Sequence, residues 1–349
     1  MYKPLSYFTR NARSYDNSPS WAWATFRETL SSSSSSSSGV VPRAAVDDRR
    51  AGSRNSSSPL SRTAALKYKL EIRKMANAAA ISKVTKKSLI VASWDPMLHL
   101  NEQPTPSCLT RVTRDIAEIK ADPLPGIFIF PEESDLTRIH AIVVGPEGTP
   151  YEGGFFHFFM KCPPNYPIVP PRVRIMTTDA GRVRFNPNLY ACGKVCLSIL
   201  GTWPGPAWSP VQNIGTVLIS IQSLMNEEPF YNEPGVSTMP VFSARYSDRV
   251  RHDTVRVAIC DAVEACLQEQ PPYPPYLVGA ILKTFADSYG KYEDMVKRLV
   301  QLNNSWQLTR ILGVTATYEY EPLLSRLRQL GPRVQDKIAA DAAAEGSAQ

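Results

Sequence analysis

At 349 residues the chain has room for about two domains. Six cysteines (108, 162, 192, 196, 260 and 266) are too few for a disulfide scaffold, and no run of about 18 apolar residues offers a membrane span. The net charge of +7 belongs to residues 1–90, which hold 16 Lys and Arg against 5 Asp and Glu; the remainder (39 less 16, 32 less 5) holds 23 against 27.

Residues 1–91 read as a disordered, basic, Ser-rich tail. Ser31–Ser38 is an unbroken serine run. Such a segment cannot bury enough apolar area to offset the entropy of ordering it. Its charge suits acidic surfaces or an import receptor, and equally a solvated linker. The acid-poor first 30 residues also fit a transit peptide. No continuous apolar h-region is seen, so no secretory signal is expected. Ala64–Ile90 fits a transient basic helix.

Order is expected from near Ser93. In SCLTRVTRDIAEIKAD (107–122), Leu109, Val112, Ile116 and Ile119 recur at helical spacing, with Ser107 as an N-cap candidate and Pro123 and Pro125 as stops. IFIF (127–130), TRIHAIVV (137–144), FFHFFMK (155–161) and RVRIMT (172–177) follow as strands separated by Gly/Pro turns, which predicts an antiparallel meander. Helical patterning returns at 211–225 and at 243–266. PPYPP (271–275) marks a boundary, and residues 276–345 read as two or three helices. Helix, strands and helices segregated in this order indicate an α+β domain over 92–270 with a helical C-terminal extension over 271–345.

FNPNLYACGKVCLSIL (185–200) carries the chemistry. Cys192 and Cys196 form CxxxC, neither the CxxC of a zinc site nor that of a redox pair, and no further ligands are suitably spaced. No metal is expected. Cys108, Cys162, Cys260 and Cys266 read as small buried hydrophobes, and His140 and His157 as packed or satisfied strand residues. No Gly-rich phosphate loop is present, so no nucleotide is expected to bind.

Four segments agree in order and spacing with one family: GPEGTPYEGGFF (145–156), YPIVPP (166–171), NPNLYACGKVCLSIL (186–200) and WSPVQNIGTVLISIQSLM (208–225). Over about Ser93–Cys266 the chain resembles the ubiquitin-conjugating (E2) enzymes. The resemblance implies the UBC fold: an N-terminal helix, a four-stranded antiparallel meander and C-terminal helices. It also implies that Cys196 takes a modifier from an E1 as a thioester and passes it to substrate lysines, directly or with an E3. ATP would be used by the E1, with no cofactor on this chain.

On the same resemblance, Asn188 aligns with the asparagine eight residues before the cysteine. It is read either as an oxyanion donor or as a brace of its own loop. Gly193 is the turn glycine. Asn186 stands where the family has a histidine, and Ser198 where it commonly has an acid; the two either reshape the loop or tune its rate. In NEEPFYNEPG (226–235), Glu233 most nearly takes the position of an aspartate that orients the incoming lysine, with Asn232 beside it. The other reading of Glu233 is an exposed loop charge. Arg111, Arg114 and Lys120 align with the face that docks on the E1, or form a plain solvated face. Ile168, Pro210 and Val211 align with the surface that meets E3 ligases, Ile168 being smaller than the common Phe. GTWPGP (201–206) is an insert at the rim of the cleft.

The flanks and the insert resemble one branch of the family. That implies pairing with the second, divergent ubiquitin E1, and loading with a diubiquitin-like modifier as well as ubiquitin. Neither a membrane nor a nucleic-acid partner is expected, and a cytoplasmic and nuclear location is. The 276–345 region is the expected seat of such selectivity, or of a contact that braces the catalytic domain; trimming it should leave a folded core with altered E1 or modifier preference. A non-catalytic adaptor on the same fold is the other class of reading; such adaptors typically lack the cysteine that this chain keeps.

Overall fold

The computed structural model describes residues 93–236, 239–305 and 318–347. The chain divides into two units, Met1–Glu71 and Ile72–Gln349, and everything described lies in the second. The expectations for the tail and for the Ala64–Ile90 helix fall outside the described residues.

Helix α1 (Pro106–Ala121) begins one residue before its predicted span and is capped by Thr105, whose hydroxyl accepts from the Cys108 amide. Ser107 is therefore inside the helix. Pro106 at the first helical position has no amide to leave unsatisfied, which moves the start upstream. The helix buries Val112, Ile116 and Ile119 of the predicted stripe, together with Cys108 and Asp115, while Leu109 of that stripe is exposed because the buried face turns toward Cys108. Strands β1 (Ile127–Glu132), β2 (Asp135–Val144), β3 (Phe155–Lys161) and β4 (Arg172–Ile175) form an antiparallel sheet in the order β1-β2-β3-β4. This is the meander expected. Helix α2 (Ile214–Leu224) starts at a capping box, with Asn213 accepting from the Thr216 amide.

A long helical run follows: α3 (Pro240–Asp253), a π-helical segment (Thr254–Asp261) and α4 (Ala262–Cys266). The extension supplies α5 (Pro275–Asp287), α6 (Tyr289–Ser305) and α7 (Glu321–Ser347). No described helix is long and apolar enough to cross a membrane.

Strand β3 is buried on both faces, which positions everything else. Side chains alternate along a strand. Ile127, Ile129, Ile139, Ala141, Val143, Phe156, Phe158 and Met160 pack inward with α1 and α2. Their strand neighbours Phe128, Phe130, Ile142, Val144 and Phe155 join a second core with the π segment and α5–α7. The part of the sheet's other face formed by β1–β3 is thus covered by the π segment and the extension.

The 92–270 boundary does not separate two cores. Leu277, Ile281, Phe285, Tyr292, Val296, Leu327 and Val334 bury against Ile142, Phe155, Val255, Ile259 and Val263. On the same face His140 and His157 stack at 5.3 Å and share a hydrogen bond of 3.0 Å, with Glu132 on the far side of His140 at 3.2 Å. Tyr273 of the extension lies edge-on to His157. Burial, and then the neighbouring His140, drive the His157 pKa down to about 3, so it is a neutral packed residue, as its strand pattern indicates.

Candidate active site

The segment 186–200 closes on itself as a tight hairpin. Leu189 bridges Val195, the Tyr190 amide donates to the Lys194 carbonyl (3.0 Å), and the Gly193 amide donates to the Tyr190 carbonyl (2.9 Å). Gly193 has φ +94°, a conformation that side-chain-bearing residues rarely adopt, and a Cβ there would meet the Arg174 side chain at 2.8 Å. Both facts require the glycine. Cys192 lies exposed in the turn.

The hairpin turns an eight-residue spacing into contact. The Cys196 amide donates to the Asn188 carbonyl (2.8 Å), and the Asn188 side-chain amide donates to the Cys196 carbonyl (2.9 Å). In this state Asn188 braces the loop, one of the two roles expected of it. The insert is pinned from its start. The Thr202 hydroxyl donates to the Val195 carbonyl (2.6 Å) and accepts from the Leu197 amide (2.9 Å), so the polypeptide leaving Cys196 is held from both sides. Ser198 opens a short 3-10 turn, Ser198–Leu200.

Asn186 is the hub beneath the thiol loop. It is fully buried, and every hydrogen-bonding position of its amide is used. Its nitrogen donates to the Tyr151 hydroxyl and to the Leu224 carbonyl (both 2.8 Å). Its oxygen accepts from the Asn188 amide (2.9 Å) and from the Asn232 side chain (3.3 Å). One amide thus ties the thiol loop, the end of α2 and the loop 226–236 together. An asparagine supplies two donors and a carbonyl oxygen, which a single imidazole could not match in this pattern. Asn186→Ala is expected to destabilise the domain by about 3 kcal/mol, because several buried partners lose their bonds. Urea unfolding at unchanged m checks this; a midpoint equal to wild type would count against the hub.

Cys196 is buried. Burial pushes its thiol up, while Lys194, a hydrogen bond from the Tyr190 hydroxyl and the Arg184 guanidinium each pull it back down. Sequence reasoning missed Tyr190 and Arg184. The only signal for Tyr190 is its place inside the hairpin. Arg184 could be found only from its outward position between buried Val183 and Phe185.

The other expected residues separate clearly. Glu233 is 38% exposed and pairs with Arg184 at 3.2 Å, so its carboxylate is engaged rather than a free loop charge. Asn232 points inward to Asn186 and the Leu224 carbonyl. Arg114 (62% exposed) and Lys120 lie on the open face of α1. Arg111 does not share that face. It is 12% exposed, and its guanidinium is committed to Asp115 (2.6 Å) and to the carbonyls of Pro210 (2.8 Å) and Gln212 (2.6 Å). Helical spacing places it near Arg114, but only the tertiary partners show it turned inward. Ile168 (73% exposed) and Val211 (89%) are open. Their loops are joined where the Trp208 indole donates to the Pro167 carbonyl at 2.7 Å, so the structure brings Ile168, Pro210 and Val211 into one region. Among the described residues no cluster of three His, Cys, Asp or Glu could hold a metal.

The meander packed against α1 and α2 thus carries, at a hairpin end, a thiol braced by an asparagine eight residues earlier. The family model for the ubiquitin-conjugating enzyme matches residues 111–251. The chain belongs to the ubiquitin-conjugating enzyme (E2) family. It is 46% identical over 254 residues to ubiquitin-conjugating enzyme E2 Z of Homo sapiens, covering 71% of each chain. It is 46% identical over 250 residues to the Danio rerio protein of that name, covering 70% of this chain and 75% of the other. A probable ubiquitin-conjugating enzyme, protein 17 of Caenorhabditis elegans, is 38% identical over 164 residues, 43% of this chain and 22% of that one.

Proposed function

We propose that this E2 works through Cys196. The Cys196 thiolate attacks the carbonyl of the modifier's C-terminal glycine on the E1. A new C–S bond forms, the E1 thiol leaves, and the thioester is then an acyl donor to a lysine amine. In the second step a C–N bond forms and the Cys196 thiolate is released. The observation that carries this reading is the hairpin that holds Cys196 and Asn188 together by two reciprocal hydrogen bonds, of 2.8 and 2.9 Å. Burial raises the thiols of Cys108, Cys162, Cys260 and Cys266 as it raises that of Cys196, but none of the four lies in the hairpin.

Asn188 steadies the reacting loop, and Glu233 acts within the thiol surroundings through Arg184. Arg114 and Lys120 offer the exposed cations for an E1, and Ile168, Pro210 and Val211 the apolar surface for an E3. The match to the E2 Z relatives runs well beyond residues 111–251. That supports the finer part of the proposal, use of the second, divergent ubiquitin E1 and of a diubiquitin-like modifier beside ubiquitin. A cytoplasmic and nuclear location, with ATP consumed on the E1 and no cofactor here, belongs to the same proposal.

Charging with E1, ATP and modifier tests it. Wild type is expected to give a thiol-sensitive adduct, Cys196→Ala none, and Cys196→Ser an adduct resistant to thiols. The same thiol-sensitive adduct in Cys196→Ala would overturn the assignment.

A further inference from the structure

The insert GTWPGP (201–206) reaches the polypeptide on both sides of the thiol through one residue. Gly201 and residues 203–207 are exposed, and Thr202 between them is turned partly inward. The turn that brings it back is short. Ser198–Leu200 forms a single 3-10 turn, and the Gly201 amide donates to the Ser198 carbonyl (2.9 Å). Gly201 takes φ +66°, the left-handed conformation that closes such a turn.

Extended backbone sends the polar groups of successive residues to opposite edges. Around the thiol both edges are taken. On one edge the Cys196 amide donates to the Asn188 carbonyl (2.8 Å), and the Asn188 side chain donates to the Cys196 carbonyl (2.9 Å). On the other edge the Thr202 hydroxyl donates to the Val195 carbonyl (2.6 Å) and accepts from the Leu197 amide (2.9 Å). The Thr202 amide donates to the Leu197 carbonyl (3.2 Å), which also lies 3.2 Å from the hydroxyl. Every backbone polar group from the Val195 carbonyl to the Leu197 carbonyl is therefore bonded.

We propose that Thr202 is a positioning residue for the reaction at Cys196: its hydroxyl bridges the residues before and after the cysteine and completes, with Asn188, a clamp that holds the sulfur in place for acyl transfer. The inference rests on the reading of Cys196 as the acceptor. A thioester carbonyl on that sulfur meets an incoming amine only as accurately as residues 195–197 are held, and a misplacement of about 1 Å can cost roughly 10²-fold in rate. Threonine suits the task. Its branched Cβ restricts χ1, so the hydroxyl is delivered in one orientation. One oxygen donates and accepts together, which neither a methyl group nor an ammonium can do. The insert is thereby part of the reacting loop as well as its border.

The test uses the full chain, charged with ubiquitin by the second, divergent ubiquitin E1 and ATP, then discharged onto free lysine once the E1 is stopped. Rates are expressed per thioester, so molecules that do not fold and load are not counted. Thr202→Val keeps the branched shape and removes the hydroxyl; it is expected to discharge about tenfold more slowly, within the loss that misplacement causes. Thr202→Ser keeps the hydroxyl without the methyl that fixes χ1, and is expected to return to within about threefold of wild type. The concentration of this chain that half-saturates the E1 is expected to be the same in all three proteins, because the hydroxyl bonds only the backbone around Cys196. Discharge of Thr202→Val at the wild-type rate would overturn the proposal. So would a Thr202→Ser as slow as Thr202→Val, since shape and not the hydroxyl would then matter. A rise in E1 half-saturation matching the slower discharge would overturn it as well. Should Thr202→Val not fold, Thr202→Ala takes its place with the same expectation. A thiol-sensitive adduct that persists in Cys196→Ala defeats the acceptor reading itself; its loss there, with wild-type discharge in Thr202→Val, defeats this inference alone.

Discussion

A fragment ending at Gln270 is expected to unfold or precipitate rather than to behave as a trimmed enzyme. Removing the extension uncovers Ile142, Phe155, Val255, Ile259 and Val263, all fully or almost fully buried in the core they share with α5–α7. Burying such a side chain contributes about 1.5–3 kcal/mol, so the five together represent on the order of 10 kcal/mol. Area-based sums are upper figures. Even half of this rivals the roughly 5–15 kcal/mol that holds a domain folded. Polar ties are lost too. The Tyr292 hydroxyl donates to the Gly153 carbonyl (3.0 Å), and Arg326 pairs with Glu264 and with Asp261 (2.7 Å). Trimming was expected to alter partner preference while leaving the core folded; the shared core predicts loss of stability first. Urea unfolding of residues 93–270 against 93–349 is the measurement. An unchanged midpoint in the shorter chain would show that the extension is an ornament on an independent domain.

Asp115→Ala is expected to cost about 3–5 kcal/mol, the range for removing one partner of a buried ion pair. Asp115 is completely buried on α1. Its carboxylate accepts from Arg111 (2.6 Å), from the Tyr166 hydroxyl and from the Ile214 amide (3.3 Å) at the start of α2. An anion at a helix N-terminus is favourably placed. Its loss strands a guanidinium that is itself mostly buried, and frees two loops that Arg111 and Tyr166 hold in place. Those loops carry Ile168, Pro210 and Val211. E3-stimulated discharge is therefore expected to fall further than E1 charging. Tyr166→Phe removes one partner only and should cost less than half as much. Equal stability of Asp115→Ala and wild type, at unchanged m, would show the network to be idle.

The basic residues of α1 separate by burial. Arg111, Arg114 and Lys120 share a helix, and spacing alone groups them. Arg111 is a brace between α1 and the loop before α2, while Arg114 and Lys120 remain available.

Local pattern was sufficient for the elements and for the reacting thiol. Apolar spacing marks α1, Gly/Pro turns part the strands, and the elements that follow are segregated as an α+β domain requires. The distance from Asn188 to Cys196, with Gly193 between them, is a hairpin signature in a single stretch of chain. What lies beyond that stretch was not legible. FFHFFMK reads as a strand, but nothing in it says that a second layer of helices covers its other face; strand alternation disappears when both sides are buried. Glu233 could be aligned near the site, yet its partner Arg184 is 49 residues away and is chosen by how two loops meet. Asn186 departs from the family pattern in sequence and becomes a four-bonded hub only once α2 and loop 226–236 are in place. The sequence by itself determined the class of protein and marked the hairpin that holds the proposed thiol, because those depend on short-range spacing. Tertiary structure decided what surrounds the thiol and how far the domain extends, because hydrogen-bond partners and buried faces are set by segments distant in the chain.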